Sequence, residues 1–349
     1  MRYQSAKDLM DEYRDKIDSL VPISAQTLKA SSCSNRDDRV DSARVHASNL
    51  SLAVGRFERS QFGVFIDLKN SLDLKLFRKR RSTESAKLYQ ILQINETKMR
   101  VIGKIRAQIS RDASIGHYIP DSSGTLGGFA RLRSGESDRI GVISCNHVLV
   151  HNNQANVDDF IVRPGRGDGG FHPSSTIGKL HSFQSIDFTP GSVNEVDAAF
   201  ASLDKDVLLK WNDRLDRPFD KRPKIMGVRD FDPSMIESDS DEAKLSKVFK
   251  YGRSTGLTEG RIVSTDRVNL SVIYGPGREA IFNNVVEIGG KNGKPFSLPG
   301  DSGSLVWDFE HFAIGVVFAG TEKRGGRTAS SFMIPITKFL DSLCVDLIY

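Results

Sequence analysis

From about residue 100 to the C-terminus, short runs of β-branched and aromatic residues alternate with turns of Gly, Asn, Asp and Pro. This alternation is typical of an all-β barrel or sandwich. The 30 glycines and 12 prolines of the 349-residue chain fit such a turn-rich fold better than a helical bundle. The sequence therefore predicts a mainly β fold that closes with a helix at Ile336–Leu343. The expected strands are Gly127–Arg133, Arg139–Ser144, Val196–Leu203, Gly260–Ser264, Val268–Tyr274, Ile281–Ile288, Ser304–Trp307 and Ala313–Ala319.

The residue pattern of the first part of the chain is different, and it predicts a separate α+β module over residues 1–98. Apolar residues one turn apart indicate an amphipathic helix over residues 5–20. Residues 21–45 are rich in Ser, Asp and Arg and read as a linker. In the small mixed module of residues 46–98 we expect a strand at Phe62–Leu68 and a helix near Glu84–Leu92. Residues 99–349 then form the second domain.

Positive charge is concentrated in the N-terminal part. The net charge of the chain is +5, and residues 1–110 hold 21 Lys and Arg against 13 Asp and Glu. The basic run Phe77–Arg81 is typical of a solvated turn, with an acidic protein surface or a phosphate backbone as the alternatives. Aromatic residues are few there, so nucleic-acid binding has weak support. We expect residues 1–98 to recruit or dock a protein partner.

The start of the chain is polar, and no uncharged apolar run approaches the roughly 18 residues of a membrane span. We therefore expect no signal peptide, no membrane contact and a cytoplasmic location. The three cysteines are too few and too scattered to predict a disulfide framework or a zinc cluster. No metal and no cofactor are expected.

Three segments of the β-rich part contain residue types that act together in acyl transfer. They are Ile143–Leu149 with His147, Glu195–Ala201 with Asp197, and Pro299–Ser304 with Ser302. A serine hydroxyl becomes a good nucleophile when a neutral imidazole accepts its proton. A buried carboxylate then fixes the tautomer of that imidazole. The glycines beside Ser302 allow the N–H groups of Gly300 and Ser302 to converge on an oxyanion.

These motifs make the sequence similar to a known family. Gly300–Val306 resembles the nucleophile motif of the chymotrypsin-fold (trypsin-like) serine proteases, and Asn146–Val148 resembles their histidine motif. Ser123–Gly127 and Lys250–Gly260 narrow the similarity to signal-less bacterial trypsin-like peptidases related to the plant narrow-leaf protein. The resemblance implies a double β-barrel with the catalytic triad between the barrels. It covers roughly residues 100–349 and none of the first 95 or so.

Two positions depart from the pattern of the family. Digestive members pair the aspartate beside the nucleophile with a new N-terminal amine, and no matching segment precedes the barrel here, so the partner of Asp301 is open. Phe296 stands where trypsin has its specificity aspartate. Together with Phe318, Ala319 and Gly320 of the expected substrate-binding strand, it predicts a pocket without a strong preference for basic residues.

The sequence leaves several alternatives open. Asp187 and Asp204 compete with Asp197 as the orienting carboxylate, and Cys145 is a weaker candidate nucleophile. The preferred function is a restricted or partner-gated serine endopeptidase. The alternatives are a binding module or latent enzyme with a protease fold that acts only in a complex, and a nucleic-acid-associated protein led by its basic N-terminal part.

Overall fold

The structure is a computed structural model. It describes residues 113–133, 139–211, 214–230, 246–321 and 329–349 in full. Of the first 112 residues it describes residues 4, 6–8 and 10–11 and the backbone of residues 50–58, 61–68, 94–96 and 99–100. The expected linker of residues 21–45, the helix near Glu84–Leu92 and the basic run Phe77–Arg81 lie outside the described residues.

Strands dominate the described part of the chain. The first eleven are β1 (Leu50–Glu58), β2 (Gln61–Leu68), β3 (Ile94–Glu96), β4 (Met99–Arg100), β5 (Ser114–His117), β6 (Gly124–Thr125), β7 (Gly128–Leu132), β8 (Ile140–Ser144), β9 (Phe160–Val162), β10 (Thr176–Phe183) and β11 (Val193–Asn194). The remaining strands are β12 (Ala199–Leu203), β13 (Gly227–Val228), β14 (Lys247–Gly252), β15 (Gly256–Val268), β16 (Leu270–Gly275), β17 (Arg278–Phe282), β18 (Val285–Gly290), β19 (Leu305–Asp308), β20 (Phe312–Thr321), β21 (Ser330–Pro335) and β22 (Val345–Leu347). The α-helices of the fully described ranges are α1 (Asn146–Leu149), α2 (Lys205–Trp211) and α3 (Ile336–Leu343).

Two sheets position the candidate site. The first is an eight-stranded curled sheet in the order β22-β7-β8-β12-β10-β9-β5-β6. In the second, β14, β15, β18, β21, β20 and β19 pair in a ring and close a six-stranded barrel. This is the chymotrypsin-like double-barrel arrangement, and it confirms the mainly β fold expected from the sequence. Both interiors are lined by aliphatic and aromatic side chains, because alternate residues of a strand face the same side.

The last residues of the chain tie the two sheets together. Helix α3 follows β21 of the barrel and spans the residues expected from its apolar periodicity. Strand β22 then pairs with β7 of the first sheet, with Val345 opposite Leu132. The described helices are all too short or too polar to cross a membrane.

The strand at the predicted Ile281–Ile288 is two strands, so the expectation of a single strand is wrong. Strands β17 and β18 are separated by Asn283 and Asn284. Asn284 has a φ of 58°, a left-handed conformation that asparagine tolerates better than most residues. The turn sends β18 back along β15, which is the pairing that the barrel needs.

Part of the N-terminal region lies against the barrel. Residues 4, 6–8 and 10–11 are helical, and all of them except residue 4 lie within the expected helix of residues 5–20. Ala6 and Met10 are buried. Strand β2 includes the expected strand Phe62–Leu68 and pairs with β1, which in turn pairs with β15 through Leu52 opposite Val268. The boundary at residue 98 between two domains stays a prediction.

Candidate active site

The candidate histidine stands on a one-turn helix at the end of a buried strand. Strand β8 ends at Ser144, and α1 begins at Asn146, so His147 lies in its first turn. The Asn146 side chain fixes this turn, since its Nδ2 donates to Asn153 Oδ1 at 2.8 Å and to the Gln184 carbonyl at 2.7 Å. The His147 side chain is only 7% exposed. It is held at the edge of the first sheet and faces the second.

Asp197 lies next to His147 in a buried position. It precedes β12, the neighbour of β8, and is fully buried. Its Oδ2 lies 2.6 Å from His147 Nδ1, and its Oδ1 accepts the His147 backbone N–H at 3.3 Å. An ionised carboxylate at this position accepts a hydrogen bond from the Nδ1–H group and so leaves Nε2 of the neutral ring as a proton acceptor.

A tyrosine that the sequence analysis missed completes this group. Tyr274 in β16 donates its phenolic O–H to Asp197 Oδ2 at 2.9 Å. Its ring also meets the His147 ring edge-on, with centroids 5.8 Å apart. Burial and the negative charge of Asp197 raise the pKa of Tyr274 well above its ordinary value, so the phenol remains a donor.

The two competing aspartates have other roles. Asp187 Oδ1 accepts the Thr189 N–H at 2.8 Å, and hydrogen bonds from Thr189 and Ser192 lower its pKa. Asp204 is exposed, and its carbonyl caps the start of α2 by accepting the N–H groups of Val207 and Leu208. In the fully described ranges neither carboxylate bonds to His147, and Asp197 does.

Ser302 lies in a tight turn ahead of β19 of the barrel. Gly300 and Gly303 have φ values of 94° and 93°, in the left-handed region that glycine adopts at little cost. The turn is fixed by the Asp301 N–H, which donates to Leu298, and by the Ser304 N–H, which donates to the Asp301 carbonyl. The Ser302 carbonyl accepts the Thr125 N–H at 2.8 Å, which ties the turn to the first sheet.

Two backbone donors at this turn form no hydrogen bond with any residue that the structure describes. Among the hydrogen bonds between described residues, none uses the N–H of Gly300 or of Ser302. Gly300 is buried and Ser302 is half-buried. Buried backbone donors are nearly always paired, so donors left free beside a hydroxyl are available to a bound ligand. They are the pair that the sequence assigned to an oxyanion.

The turn that contains Ser302 and the start of helix α1 both lie next to the Val317 carbonyl. The Val317 carbonyl in β20 accepts the Gly303 N–H at 2.8 Å and lies 3.5 Å from Cys145 Sγ. The Ser302 hydroxyl donates to the Phe318 carbonyl at 3.3 Å, a long bond. Within the described residues it forms no hydrogen bond with the His147 ring. Candidate catalytic bonds are often long or absent until substrate binds.

The partner of Asp301, which the sequence left open, is Lys250. Both side chains are fully buried, and Lys250 Nζ lies 3.2 Å from Asp301 Oδ2. Thr255 Oγ1 donates to the same oxygen at 2.7 Å, while the Ser254 N–H donates to Oδ1 at 2.8 Å. The segment that connects β14 to β15 therefore encloses the carboxylate beside Ser302. A buried carboxylate is tolerated because it is both paired and hydrogen-bonded.

Two opposing effects act on the pKa of the Lys250 ammonium. Burial lowers its pKa, and the negative charge and hydrogen bond of Asp301 act in the opposite direction. The ammonium also donates to Thr255 Oγ1 and lies 5.7 Å from the centre of the Phe296 ring. An aromatic face stabilises a cation at this distance.

The same segment joins the barrel to the first sheet. Arg253 Nε donates to Asp168 Oδ2 at 2.6 Å, and Nη2 binds the other carboxylate oxygen. Asp168 belongs to the one-turn helix Arg166–Asp168 beside β5. Thr125 Oγ1 accepts the Arg253 N–H at 3.0 Å and donates to the Gly300 carbonyl at 2.8 Å. The serine turn, the lysine segment and the first sheet thus form one network.

The expected pocket residues lie close to this network, mostly buried. Phe296 is fully buried, and its carbonyl accepts the Thr258 hydroxyl at 2.8 Å. Phe318 is also fully buried and packs on Phe282, with ring centroids 4.9 Å apart. Ala319 is 5% exposed, and Gly320 is half-buried. The part of strand β20 that lies next to Ser302 is therefore its backbone, at the Phe318 carbonyl. The role of these four residues in specificity stays a prediction.

Cys145, His147 and Asp197 have donor atoms within 4.8 Å of one another, a spacing that a metal ion could use. Burial and the charge of Asp197 raise the pKa of Cys145 well above its ordinary value, so it is a neutral thiol. Asp197 Oδ2 already accepts hydrogen bonds from His147 and Tyr274. The residues therefore fit a hydrogen-bonded group better than a metal centre, and a neutral thiol is a poor nucleophile.

Comparison with known proteins gives one family and a set of structures. The family model described as "Nal1 C-terminal domain" (Nal1_C) matches residues 102–347. No curated protein matches the sequence. Protease A of Thermobifida fusca is 14% identical, with 71% of this chain and 98% of that chain covered at a TM-score of 0.43. The Nocardiopsis protease NAPase is 16% identical, with 72% and 100% covered at a TM-score of 0.42.

Proposed function

The chain belongs to the Nal1 C-terminal domain family, and from this premise we propose that it is a serine endopeptidase. The observation that carries the proposal is the 2.6 Å contact between His147 Nδ1 and a fully buried Asp197. A buried carboxylate at this distance fixes the tautomer that a general base needs. The two unpaired N–H groups at Gly300 and Ser302 support the same reaction, because they can bind the oxyanion.

The proposed reaction has two halves. Ser302 Oγ attacks the scissile carbonyl while His147 Nε2 takes its proton, and the Gly300 and Ser302 N–H groups stabilise the oxyanion. His147 then passes the proton to the leaving amine, which departs and leaves an acyl-enzyme. Water attacks the acyl group with the same assistance and releases the second product. Asp197 stays ionised throughout and stabilises the imidazolium.

Lys250 provides the cation that pairs with Asp301 in the turn that contains Ser302. In the proposed enzyme it holds Asp301, and therefore Gly300 and Ser302, without a cut that creates a new N-terminus. The peptide chain is folded around Asp301 by the same segment that carries Lys250. We therefore expect the activity to be independent of any cleavage of the protein's own chain.

A latent form of the same enzyme is the second candidate function. It is favoured by the Ser302 hydroxyl, which donates to the Phe318 carbonyl and not to His147. A substrate or a partner that draws this hydroxyl to His147 would switch on the reaction. Docking of that partner through residues 1–98, and a cytoplasmic location, are part of this proposal.

The test is covalent labelling by a fluorophosphonate, followed by mapping of the modified residue. The proposal expects one label on each chain, at Ser302, and no label after His147→Ala or Ser302→Ala. The control is Cys145→Ala, which should label like the wild-type protein. Labelling that appears only after a partner is added supports the latent form. Label at another residue, or label unaffected by His147→Ala, would contradict both forms.

A further inference from the structure

A cavity that none of the candidate active-site residues line lies between the connection of the two sheets and the wall of the barrel. Its volume is about 370 Å³, in the range of small-molecule sites. One side is apolar and consists of Phe249, Leu257 and Trp307, from β14, β15 and β19. Leu257 is 53% exposed, whereas Trp307 is almost fully buried. The apolar side thus continues from the surface into the interior.

The other side of the cavity is basic. Arg217, Lys221 and Arg222 line it, together with His311, and Asp220 is the acidic residue of the lining. Arg217 and Lys221 are exposed and stand at the rim. Arg222 is 3% exposed and stands at the bottom. The cavity therefore presents positive charge beside an apolar surface.

Arg222 is a buried cation with unused donors. Its Nη1 donates to the Gly127 carbonyl at 2.9 Å, and its Nε is buried without a partner. Among the described residues no carboxylate pairs with it, and burial lowers its pKa to about 9. Buried guanidinium groups are normally paired, because an uncompensated charge in the interior is costly. Nε and Nη2 form the edge of the guanidinium that binds carboxylates with two parallel hydrogen bonds.

We propose that this cavity binds a carboxylate carried on an apolar group, such as the C-terminal residue of a peptide that ends in an apolar side chain. The carboxylate would bind the free edge of Arg222, and the side chain would pack on Phe249, Leu257 and Trp307. Asp220 at the same cavity disfavours a dianion such as phosphate. Peptides of this kind are also products that the proposed protease would release, and this link alone rests on the proposed function.

The position of the cavity gives binding a route to the candidate active site. Gly127, whose carbonyl Arg222 holds, lies between Arg222 and the serine turn. A Cβ at Gly127 would stand 2.6 Å from the Gly303 carbonyl oxygen, so there is no free space between the two segments. The proposed ligand would therefore lie behind the turn that contains Ser302.

The experiment follows the fluorescence of Trp307 in the full-length chain. The chain has two tryptophans, so Trp211→Phe leaves Trp307 as the reporter, and Ser302→Ala prevents turnover. The probe is N-acetyl-L-phenylalanine, and its neutral amide is the matched control. We expect a saturable fluorescence change with the acid and none with the amide. Inorganic phosphate should not compete.

Substitutions at the basic side locate the binding. Arg222→Met should weaken binding of the acid by on the order of tenfold or more, as expected for loss of hydrogen bonds to a charged group. The double change Arg217→Gln with Lys221→Gln, at exposed positions, should weaken it in the same direction and does not depend on a buried substitution. Lys224→Gln removes a nearby exposed charge that does not line the cavity, and should leave binding unchanged.

Three results would overturn the proposal. Equal binding of acid and amide would reduce the site to an apolar contact. Unchanged binding after both the Arg222 and the rim substitutions would place the ligand elsewhere. The third test uses the chain that retains Ser302. Loss of binding after its Ser302 is labelled with a fluorophosphonate would place the probe in the active site. Because the first two tests use the Ser302→Ala chain, they do not depend on the proteolytic activity.

Discussion

Asp197 is the described carboxylate that contacts the His147 ring. It is fully buried and accepts hydrogen bonds from the His147 N–H, from His147 Nδ1 and from the Tyr274 phenol. These three hydrogen bonds hold the carboxylate against the imidazole ring. This arrangement stabilises the imidazolium that a serine mechanism generates.

Replacing Asp197 by Asn should therefore remove most of the activity. The amide donates where the carboxylate accepts, which favours the wrong imidazole tautomer, and a loss of about 10³–10⁴-fold in kcat is expected. Asp187→Asn is the control, because the Asp187 carboxylate accepts the Thr189 N–H and has no described bond to His147. The measurement is kcat on a peptide substrate together with the urea midpoint of each variant. Similar losses in the two variants would reopen the assignment of the carboxylate.

The buried Lys250–Asp301 pair predicts a loss of activity at alkaline pH. Burial lowers the Lys250 pKa, so the ammonium should lose its proton below pH 10.5 and release Asp301. The folded chain holds this proton more weakly than the unfolded chain. Titration of the lysine therefore makes the fold more stable as pH rises from the lowered pKa of the folded chain to the ordinary lysine pKa. Activity should thus fall while the protein stays folded. Rates and circular dichroism measured between pH 7 and 10 separate the two effects.

Lys250→Met gives the matched comparison. It should lower kcat/KM by roughly tenfold or more at neutral pH, since a broken buried pair leaves an uncompensated charge. It should also lack the alkaline fall of the wild-type protein, which a purely structural role would not predict. Lys247→Met, on the same strand but paired at the surface with Glu259, is the control. An unchanged alkaline profile in Lys250→Met would remove the lysine from the account.

At the scale of elements, the serine turn depends on a glycine that no other residue can replace cheaply. Gly300 has a φ of 94°, and a Cβ there would lie 2.4 Å from Arg253 Nη1 and 2.5 Å from Ser254 Oγ. The turn is therefore fixed both by its own backbone and by the β14–β15 segment that covers it. A change in that segment should therefore displace the N–H groups of Gly300 and Ser302.

Gly300→Ala should slow fluorophosphonate labelling of Ser302 strongly and destabilise the protein. Left-handed strain alone costs about 1–3 kcal/mol, and the contact with Arg253 adds to it. Gly169→Ala is the control, because Gly169 has a φ of 91° with nothing within 4 Å of its Cβ. It should show the strain and normal labelling. Equal labelling rates in the two variants would mean that the turn tolerates displacement.

Elements with strong local signals were predictable from the sequence. The helix Ile336–Leu343 and the barrel strands β19 and β20 follow from apolar periodicity, whereas β14 and β21 were not predicted. The motifs around His147 and Ser302 led to a family that the match over residues 102–347 confirms. The break at Asn284 was missed, because a left-handed asparagine inside an apolar run leaves no periodicity signal. Lys250 and Tyr274 were missed because their partners are 51 and 77 residues away, and only the folded sheets bring them together.

At the scale of the whole molecule, the barrel and the N-terminal region make different contributions. All six strands that close the barrel lie between residues 247 and 335. Strands β1 and β2 extend this sheet through β15, and Lys7 Nζ lies 3.8 Å from Asp266. The N-terminal region is also the basic part of the chain, with a charge of +8 over residues 1–110. It is therefore placed to support docking of acidic partners, which stays a proposal.

Removal of residues 1–98 tests this division. A chain that begins at Met99 should label with fluorophosphonate and cleave a small peptide at the wild-type rate. Its cleavage of an acidic protein substrate should fall, and the difference should shrink between 0.1 and 1 M salt, because the Debye length shortens from about 10 to about 3 Å. If the shortened chain is folded yet loses peptide cleavage, β1 and β2 belong to the catalytic fold. The domain boundary would then be wrong.

In the proposed mechanism, Ser302 forms an acyl-enzyme with the assistance of His147. A rapid-mixing experiment with an activated ester tests it directly, because a covalent intermediate that forms faster than it decays gives a burst of one leaving group for each active chain. The account predicts this burst in the wild-type chain, an acyl group on Ser302 by mass spectrometry, and neither in Ser302→Ala or His147→Ala. A burst that persists in Ser302→Ala, or an acyl group found on Cys145, would contradict it.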